Sequence, residues 1–162
     1  MTMPVSEKSF LEKLAGYLPG IRGYREREGR RETDRRLREF LAGRLEDGRA
    51  RLNALREGAA DAGALTGLDA LGRLDRTLQK SIASLRYADA GYSGVFDQVK
   101  IREAELDQIY AYDAALVAEI VQLSDGLRAA GDASALAPLA AGAEQLDLKI
   151  ARRREILEKP AV

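Results

Sequence analysis

Two ionisable side chains stand where the helical pattern of the sequence expects apolar residues. Asp113 lies between Ile109 and Leu116 in one leucine-rich stripe, and Arg153 precedes Leu157 in the last stripe of the chain. An unpaired charge in an apolar interior is very costly, so a buried carboxylate needs a partner. The sequence therefore predicts either a buried pair with an arginine from another helix, which would set the helix register, or a local turn outward.

Acid–base chemistry is the functional alternative for the same residues. Asp113 would be the acid–base group, with Tyr110 or Tyr112 beside it. The chain has no histidine and no cysteine, which excludes imidazole bases, thiolate nucleophiles and zinc sites built on those side chains. No spacing of carboxylates supports a magnesium or manganese site. We therefore expect no catalytic residue, no cofactor and no metal.

The stretch "DAGYSGVFDQVK", residues 89–100, has some features of a calcium-binding loop. Asp89, Gly94 and Asp97 occupy positions 1, 6 and 9 of an EF-hand pattern. Position 3 is Gly91, which has no side-chain oxygen, and Lys100 stands where a bidentate glutamate should close the site. A lysine ammonium repels a divalent cation, so calcium binding is not expected.

The aromatic residues of this stretch suggest a structural role. Its glycines permit a tight reversal of the chain. Tyr92 and Phe96 would then fold back over the end of the helices as a hydrophobic lid, joined by Tyr87 and Tyr110. Because aromatic side chains also anchor partners, Tyr92 and Phe96 are candidate partner-binding residues as well.

An arginine-rich run, "RGYREREGRRETDRRLRE", covers residues 22–39. Residues 25–36 include no apolar side chain larger than a threonine methyl group, so we expect this part of a helix to project from the core or lie on its surface. This charge pattern is consistent with a solvated face and with an electrostatic contact with an acidic protein. The interleaved acids disfavour binding to nucleic acid, and binding to an anionic membrane remains an alternative. The candidate partner-binding residues are Arg25, Arg27, Arg30, Arg31 and Arg35.

The N-terminal stretch predicts a short amphipathic helix with Ser6 as its N-cap. Phe10, Leu14 and Leu18 share its apolar face. This face could contact a membrane surface together with the arginines downstream, or it could pack on the protein's own helices or on a neighbouring subunit. We treat residues 1–21 as an appendage and residues 22–162 as the helical domain.

Helices must position all of these residues. Prolines are absent from residues 20–137, and apolar side chains recur at steps of three and four. The predicted helices cover residues 6–18, 22–56, 68–88, 103–130 and 135–158, with a flexible connection at 57–67. Long leucine stripes must be buried, which favours an all-α fold: an antiparallel four-helix bundle of long helices with a short additional N-terminal helix. A coiled-coil assembly shares the same spacing.

Composition limits the function classes. The 162 residues hold 26 basic and 26 acidic side chains, so no overall field attracts polyanions. No apolar run approaches the roughly 20 residues of a membrane span, and the N-terminus does not resemble a signal peptide. We expect a cytoplasmic, non-enzymatic protein that binds or scaffolds other proteins, or associates with itself. The alternatives are a peripheral membrane protein and, third, an enzyme or small-ligand binder that uses Asp113 and its tyrosines.

Overall fold

A computed structural model describes residues 6–88, 96–98 and 100–158. This part of the chain consists of helices, turns and connections without a β-strand, which confirms the all-α prediction. A 3₁₀ turn at Ala133–Leu136 precedes the last helix. The five α-helices of the described residues are α1 (Glu7–Leu14), α2 (Arg27–Asp61), α3 (Leu68–Arg86), α4 (Glu103–Ala129) and α5 (Leu139–Glu158).

The four long helices pack in a ring in which each helix contacts two others. Helix α2 contacts α3 and α4, and helix α5 contacts the same two helices from the other side. Helix α1 packs on α4. The predicted stripes supply the interior: the buried side chains include Leu37, Leu41, Leu45, Leu52, Leu74, Leu78, Leu116, Ile120, Leu146 and Ile150.

Side-chain contacts give the directions of the helices. Arg38 reaches the Leu85 carbonyl and Arg49 pairs with Asp75, so α2 and α3 run antiparallel. Residues 119 and 113 of α4 pair with residues 149 and 153 of α5, which makes that pair antiparallel too.

The neighbouring helices α2 and α4 run in the same direction. Arg44 pairs with Asp125, and Arg51, two turns later, donates to the Ala130 carbonyl. Gly48 lies between these contacts, directly against Leu127. Two antiparallel hairpins, α2–α3 and α4–α5, therefore lie side by side with their first helices parallel.

Helix α1 belongs to the hydrophobic core. Ser6 accepts a hydrogen bond from the Ser9 N–H, so the predicted N-cap is confirmed. The helix ends at Leu14, earlier than predicted, and a turn carries the chain to Leu18. Phe10, Leu14 and Leu18 are all buried in the same core as the long helices. The boundary drawn after residue 21 stays a prediction.

The start of α2 differs from the prediction. The helix begins at Arg27 instead of residue 22, because the chain before it is held in a non-helical conformation with Gly23 at φ +78°. Arg30, Thr33 and Asp34 are buried, so the expectation that residues 25–36 lie outside the core was wrong. Polar side chains tolerate burial when hydrogen bonds and ion pairs replace water, and these three have such partners.

Two other boundaries also shifted. Helix α2 continues to Asp61 through residues predicted to be a connection, and Gly63 and Gly67 beyond it adopt positive φ. Asp132 caps the 3₁₀ turn, and α5 begins at Leu139, immediately after the proline at 138. None of the helices in the described ranges is long and apolar enough to cross a membrane.

Candidate functional site

The predicted polar residues of the core form a salt bridge between α4 and α5. Arg153 Nε lies 2.7 Å from Asp113 Oδ1, and its Nη2 lies 3.0 Å from Oδ2, a two-point contact. The Tyr24 hydroxyl donates to the same Oδ2 at 2.6 Å. The two charged side chains are only 6% and 1% exposed, so the prediction of a buried pair with an arginine from another helix is confirmed.

A second carboxylate extends this contact to α2. Arg153 Nη1 lies 2.8 Å from Asp34 Oδ1, and Arg38 Nε lies 2.8 Å from Asp34 Oδ2. Arg38 Nη1 also donates to the Leu85 carbonyl at 2.7 Å, at the end of α3. We call Asp34, Arg38, Asp113 and Arg153 the ionic cluster. With two carboxylates and two guanidinium groups it is formally neutral, and it joins all four long helices.

Burial and charge act together on the groups of this cluster. The pKa of Tyr24 is raised well above its usual value, chiefly by burial and then by the negative charge of Asp113. Burial alone would lower the pKa of Arg153, but the Asp113 and Asp34 carboxylates outweigh it and raise that pKa. A neutral tyrosine and a charged arginine are therefore the stable forms.

Aromatic rings pack around Tyr24, whose hydroxyl contacts the ionic cluster. Tyr24 stacks on Phe96 with ring centroids 5.4 Å apart, and Tyr110 lies 5.0 Å from Phe10. The Tyr24 backbone N–H donates to the Tyr110 hydroxyl at 2.7 Å. Burial is the main cause of the raised pKa of Tyr110. We call Phe10, Tyr24, Phe96 and Tyr110 the aromatic cluster.

The polar groups of this arrangement are engaged with one another. Both oxygens of Asp113 are engaged by Arg153 and Tyr24, and the Tyr112 hydroxyl donates to the Lys149 carbonyl at 2.8 Å. A pocket of about 560 Å³ lies at the other end of the molecule, between residues 54–71 and residues 131–137, and no member of the ionic cluster lines it. Asp113 thus faces Arg153 and Tyr24.

One predicted partner-binding arginine is buried in the fold. Arg30 is 3% exposed, and its guanidinium group donates to the carbonyls of Tyr24 (2.7 Å) and Gln98 (2.7 Å). Burial, followed by repulsion from Arg27, lowers its pKa. Arg30 ties residues 96–98 to the start of α2, and it offers no exposed surface to a partner. Its assignment to a binding surface is corrected on that ground.

The other four arginines lie at the surface. Arg25 pairs with Glu7 at 2.8 Å, and Arg31 pairs with Asp97 at 2.5 Å. Arg35 contacts Glu32, one turn before it in α2. Arg27, Arg31 and Arg35 are spaced by four residues and share one exposed face of α2, which we call the arginine face.

The predicted aromatic lid is present in part. Phe96 is buried against Tyr24 and is therefore not available as a surface anchor, which corrects its partner-binding assignment. Tyr110 also joins the aromatic cluster. Tyr87, by contrast, is 83% exposed and does not join it. Tyr92 and most of the calcium-like loop lie outside the described residues.

The three residues predicted to contact a membrane are buried in the protein's own core. Phe10 is 0% exposed and Leu14 is 1% exposed, with Leu18 nearly as buried. Only the opposite face of α1, with Lys8, Glu12 and Lys13, meets solvent. A membrane contact through the apolar face would therefore require α1 to leave the core.

Sequence reasoning missed three members of this site: Tyr24, Asp34 and Arg38. A signal for Asp34 was present, because the α2 stripe can be extended backwards in steps of three and four. From Leu41 and Leu37 it reaches Asp34 and then Arg30, both of which are buried. Because Asp34 and Arg30 are polar, the pattern was not recognised as a continuation of the buried stripe.

Comparisons with known proteins assign no family. No family model matches the chain, no curated protein matches it, and no solved structure matches it. Within the described residues, no group of three or more histidine, cysteine, aspartate or glutamate side chains is placed to hold a metal ion.

Proposed function

We propose that this protein is a non-enzymatic helical protein that acts by binding another protein with an acidic surface. The arginine face is the observation that carries the proposal. Its side chains project at the start of α2, with Arg31 57% and Arg35 68% exposed. Arginine presents a planar set of donors that suits carboxylates, and it is enriched at protein interfaces.

The neighbouring acids favour a specific protein partner over a polyanion. Asp97 and Glu32 each contact one arginine of the face, which orients the guanidinium groups and lowers the local positive charge. A phosphate polymer or an anionic bilayer binds through accumulated positive charge, which these acids oppose. An acidic protein surface can exchange individual ion pairs with the same groups.

We also infer that α2–α5 form a four-helix bundle with α1 added on the outside. The contacts of α2 and α5 with both α3 and α4 support this architecture. Such a bundle would be a rigid platform for the arginine face, since the ionic cluster fixes the helices beneath it.

Charge reversal tests the proposed interface. We expect the triple variant Arg27→Glu, Arg31→Glu, Arg35→Glu to lose specific partners in cross-linking and mass spectrometry from the native cell. The matched control reverses three exposed arginines elsewhere, Arg73, Arg76 and Arg128. Both variants carry the same net charge. An identical partner list for both would reject the arginine face as a binding surface.

Vesicle binding addresses the membrane alternative. We expect no co-sedimentation of the wild-type protein with anionic vesicles, because Phe10 and Leu14 are buried. Co-sedimentation that disappears when residues 1–21 are deleted would favour the peripheral membrane protein instead.

A further inference from the structure

Residues 7–19 pack against Tyr24 and Tyr110 from outside the four long helices. Helix α1 packs on α4 and places the Phe10 ring 5.0 Å from Tyr110 and 6.0 Å from Tyr24. The polar side of this helix faces solvent. We call residues 7–19 the strap.

The chain that follows the strap is anchored independently of it. The Gly23 carbonyl accepts a hydrogen bond from Thr33 Oγ1 at 2.9 Å. The Tyr24 carbonyl accepts from Arg30 Nε, and the Tyr24 hydroxyl reaches Asp113. These contacts join Gly23 and Tyr24 to α2 and α4, and none of them involves a residue of the strap.

A hinge lies between the strap and this anchor. Gly20 and Gly23 both adopt positive φ, +75° and +78°. Glycine populates this region readily, while other residues rarely do. Rotation about these two glycines can therefore move the strap with little steric resistance.

Gly23 also takes part in closing the strap. A Cβ atom at this position would lie 2.7 Å from Glu7 Oε1 and 2.9 Å from the Tyr110 hydroxyl. The missing side chain lets Glu7, the first residue of α1, close over the backbone and pair with Arg25 at 2.8 Å. An added Cβ atom at Gly20, by contrast, would meet nothing within 4 Å.

The strap contains the shortest α-helix of the described residues. A helix of eight residues is not stable by itself in water, and its exposed ion pairs contribute little. The long helices keep their own apolar contacts when the strap leaves.

We propose that the strap opens as a unit about Gly20 and Gly23 while α2–α5 remain packed, which exposes Phe10 and Leu14 and uncovers Tyr24 and Tyr110. This device goes beyond the proposed function and does not depend on the arginine face. It gives the protein an open state in which a buried apolar face becomes accessible.

Thiol labelling tests the opening directly, because the chain has no cysteine. Leu14→Cys reports on the strap, and Leu41→Cys reports on the long helices; both leucines are buried. We expect the cysteine at position 14 to react at least about tenfold faster in the absence of denaturant, since local opening needs less free energy than global unfolding. Its rate should respond only weakly to low concentrations of urea.

The glycine pair tests the hinge and its closure. Gly23→Ala and Gly20→Ala both place a side chain at positive φ, but only the former meets Glu7 and Tyr110. We expect Gly23→Ala to accelerate labelling at position 14 more than Gly20→Ala, with unchanged labelling at position 41. Equal acceleration at both positions by either variant would show global unfolding and overturn the proposal.

Hydrogen exchange of the wild-type protein gives a check free of substitutions. Amides of residues 10–14 should exchange faster than those of residues 41–45, with less dependence on urea. The same exchange free energy and the same urea dependence for both segments would also overturn the proposal.

Discussion

At the scale of single residues, Arg153 is the centre of the ionic cluster. It contacts both carboxylates, Asp113 and Asp34, and it lies 3.2 Å from the Tyr24 hydroxyl. Buried ion pairs of this kind add little stability compared with apolar residues of similar volume, but loss of one partner leaves an uncompensated charge. We therefore expect the cluster to specify which helices meet more than it adds to their stability.

Removal of this arginine should be strongly destabilising. We expect Arg153→Met to lower the free energy of unfolding by about 3–5 kcal/mol, because two carboxylates lose their shared partner in the interior. Chemical denaturation monitored by circular dichroism measures the change.

The adjacent Arg154 supplies the control. Its side chain is 58% exposed and pairs with Glu158, so the same substitution there should change the free energy of unfolding by no more than about 0.5 kcal/mol. Equal effects of the two substitutions would contradict the structural role of the cluster.

At the scale of the helices, the contact between α2 and α4 depends on a glycine. An added Cβ atom at Gly48 would lie 2.7 Å from Leu127 Cδ1 and 3.2 Å from its Cβ. Glycine weakens a helix relative to alanine, and at this position it permits the close approach of two parallel helices. Gly43, in the same helix, has open space around an added Cβ atom.

Two alanine substitutions should therefore have opposite effects. We expect Gly43→Ala to raise the free energy of unfolding by about 0.5–1 kcal/mol through helix propensity. The free energy of unfolding of Gly48→Ala should lie about 1–3 kcal/mol below that of Gly43→Ala, because Leu127 must shift in a packed interface. Urea denaturation of both variants measures the difference, and equal stabilisation would show that α2 and α4 are not in close contact at residue 48.

At the scale of the whole molecule, buried tyrosines should make stability sensitive to alkaline pH. The pKa values of Tyr24 and Tyr110 are raised in the folded protein, mainly by burial. Above about pH 10 the unfolded chain loses phenolic protons that the folded protein keeps. Unfolding then releases protons, so stability falls as pH rises, and this contribution is fully present only below about pH 10.

The expected loss reaches about 1.4 kcal/mol per pH unit for each tyrosine that remains protonated. Urea denaturation between pH 8 and about pH 11.5 measures the slope. Tyr110→Phe should reduce the slope, while Tyr17→Phe, at a ring that is 48% exposed, serves as the matched control. A slope that neither substitution changes would contradict this origin of the pH dependence.

The fold class and the apolar interior were predictable because helical periodicity is a local property. The stripe of Leu37, Leu41 and Leu45 needs no knowledge of its partner to be recognised. The start of α2 was not predictable in the same way. Arg30 and Asp34 are polar residues on the buried face, and contacts with residues far away in the sequence, Gln98 and Arg153, help to make their burial acceptable.

The sequence by itself determined that the chain is helical, which side chains form its apolar faces, and which chemistries the absence of cysteine and histidine excludes. It also showed that Asp113 and Arg153 would need partners. Tertiary structure alone decided that these two residues meet each other, that Asp34 and Tyr24 join them, and that α2 lies parallel to α4. The physical reason is that the cost of burying a charge depends on which groups the fold places beside it, and residues 24, 34, 113 and 153 become neighbours only when separate helices pack.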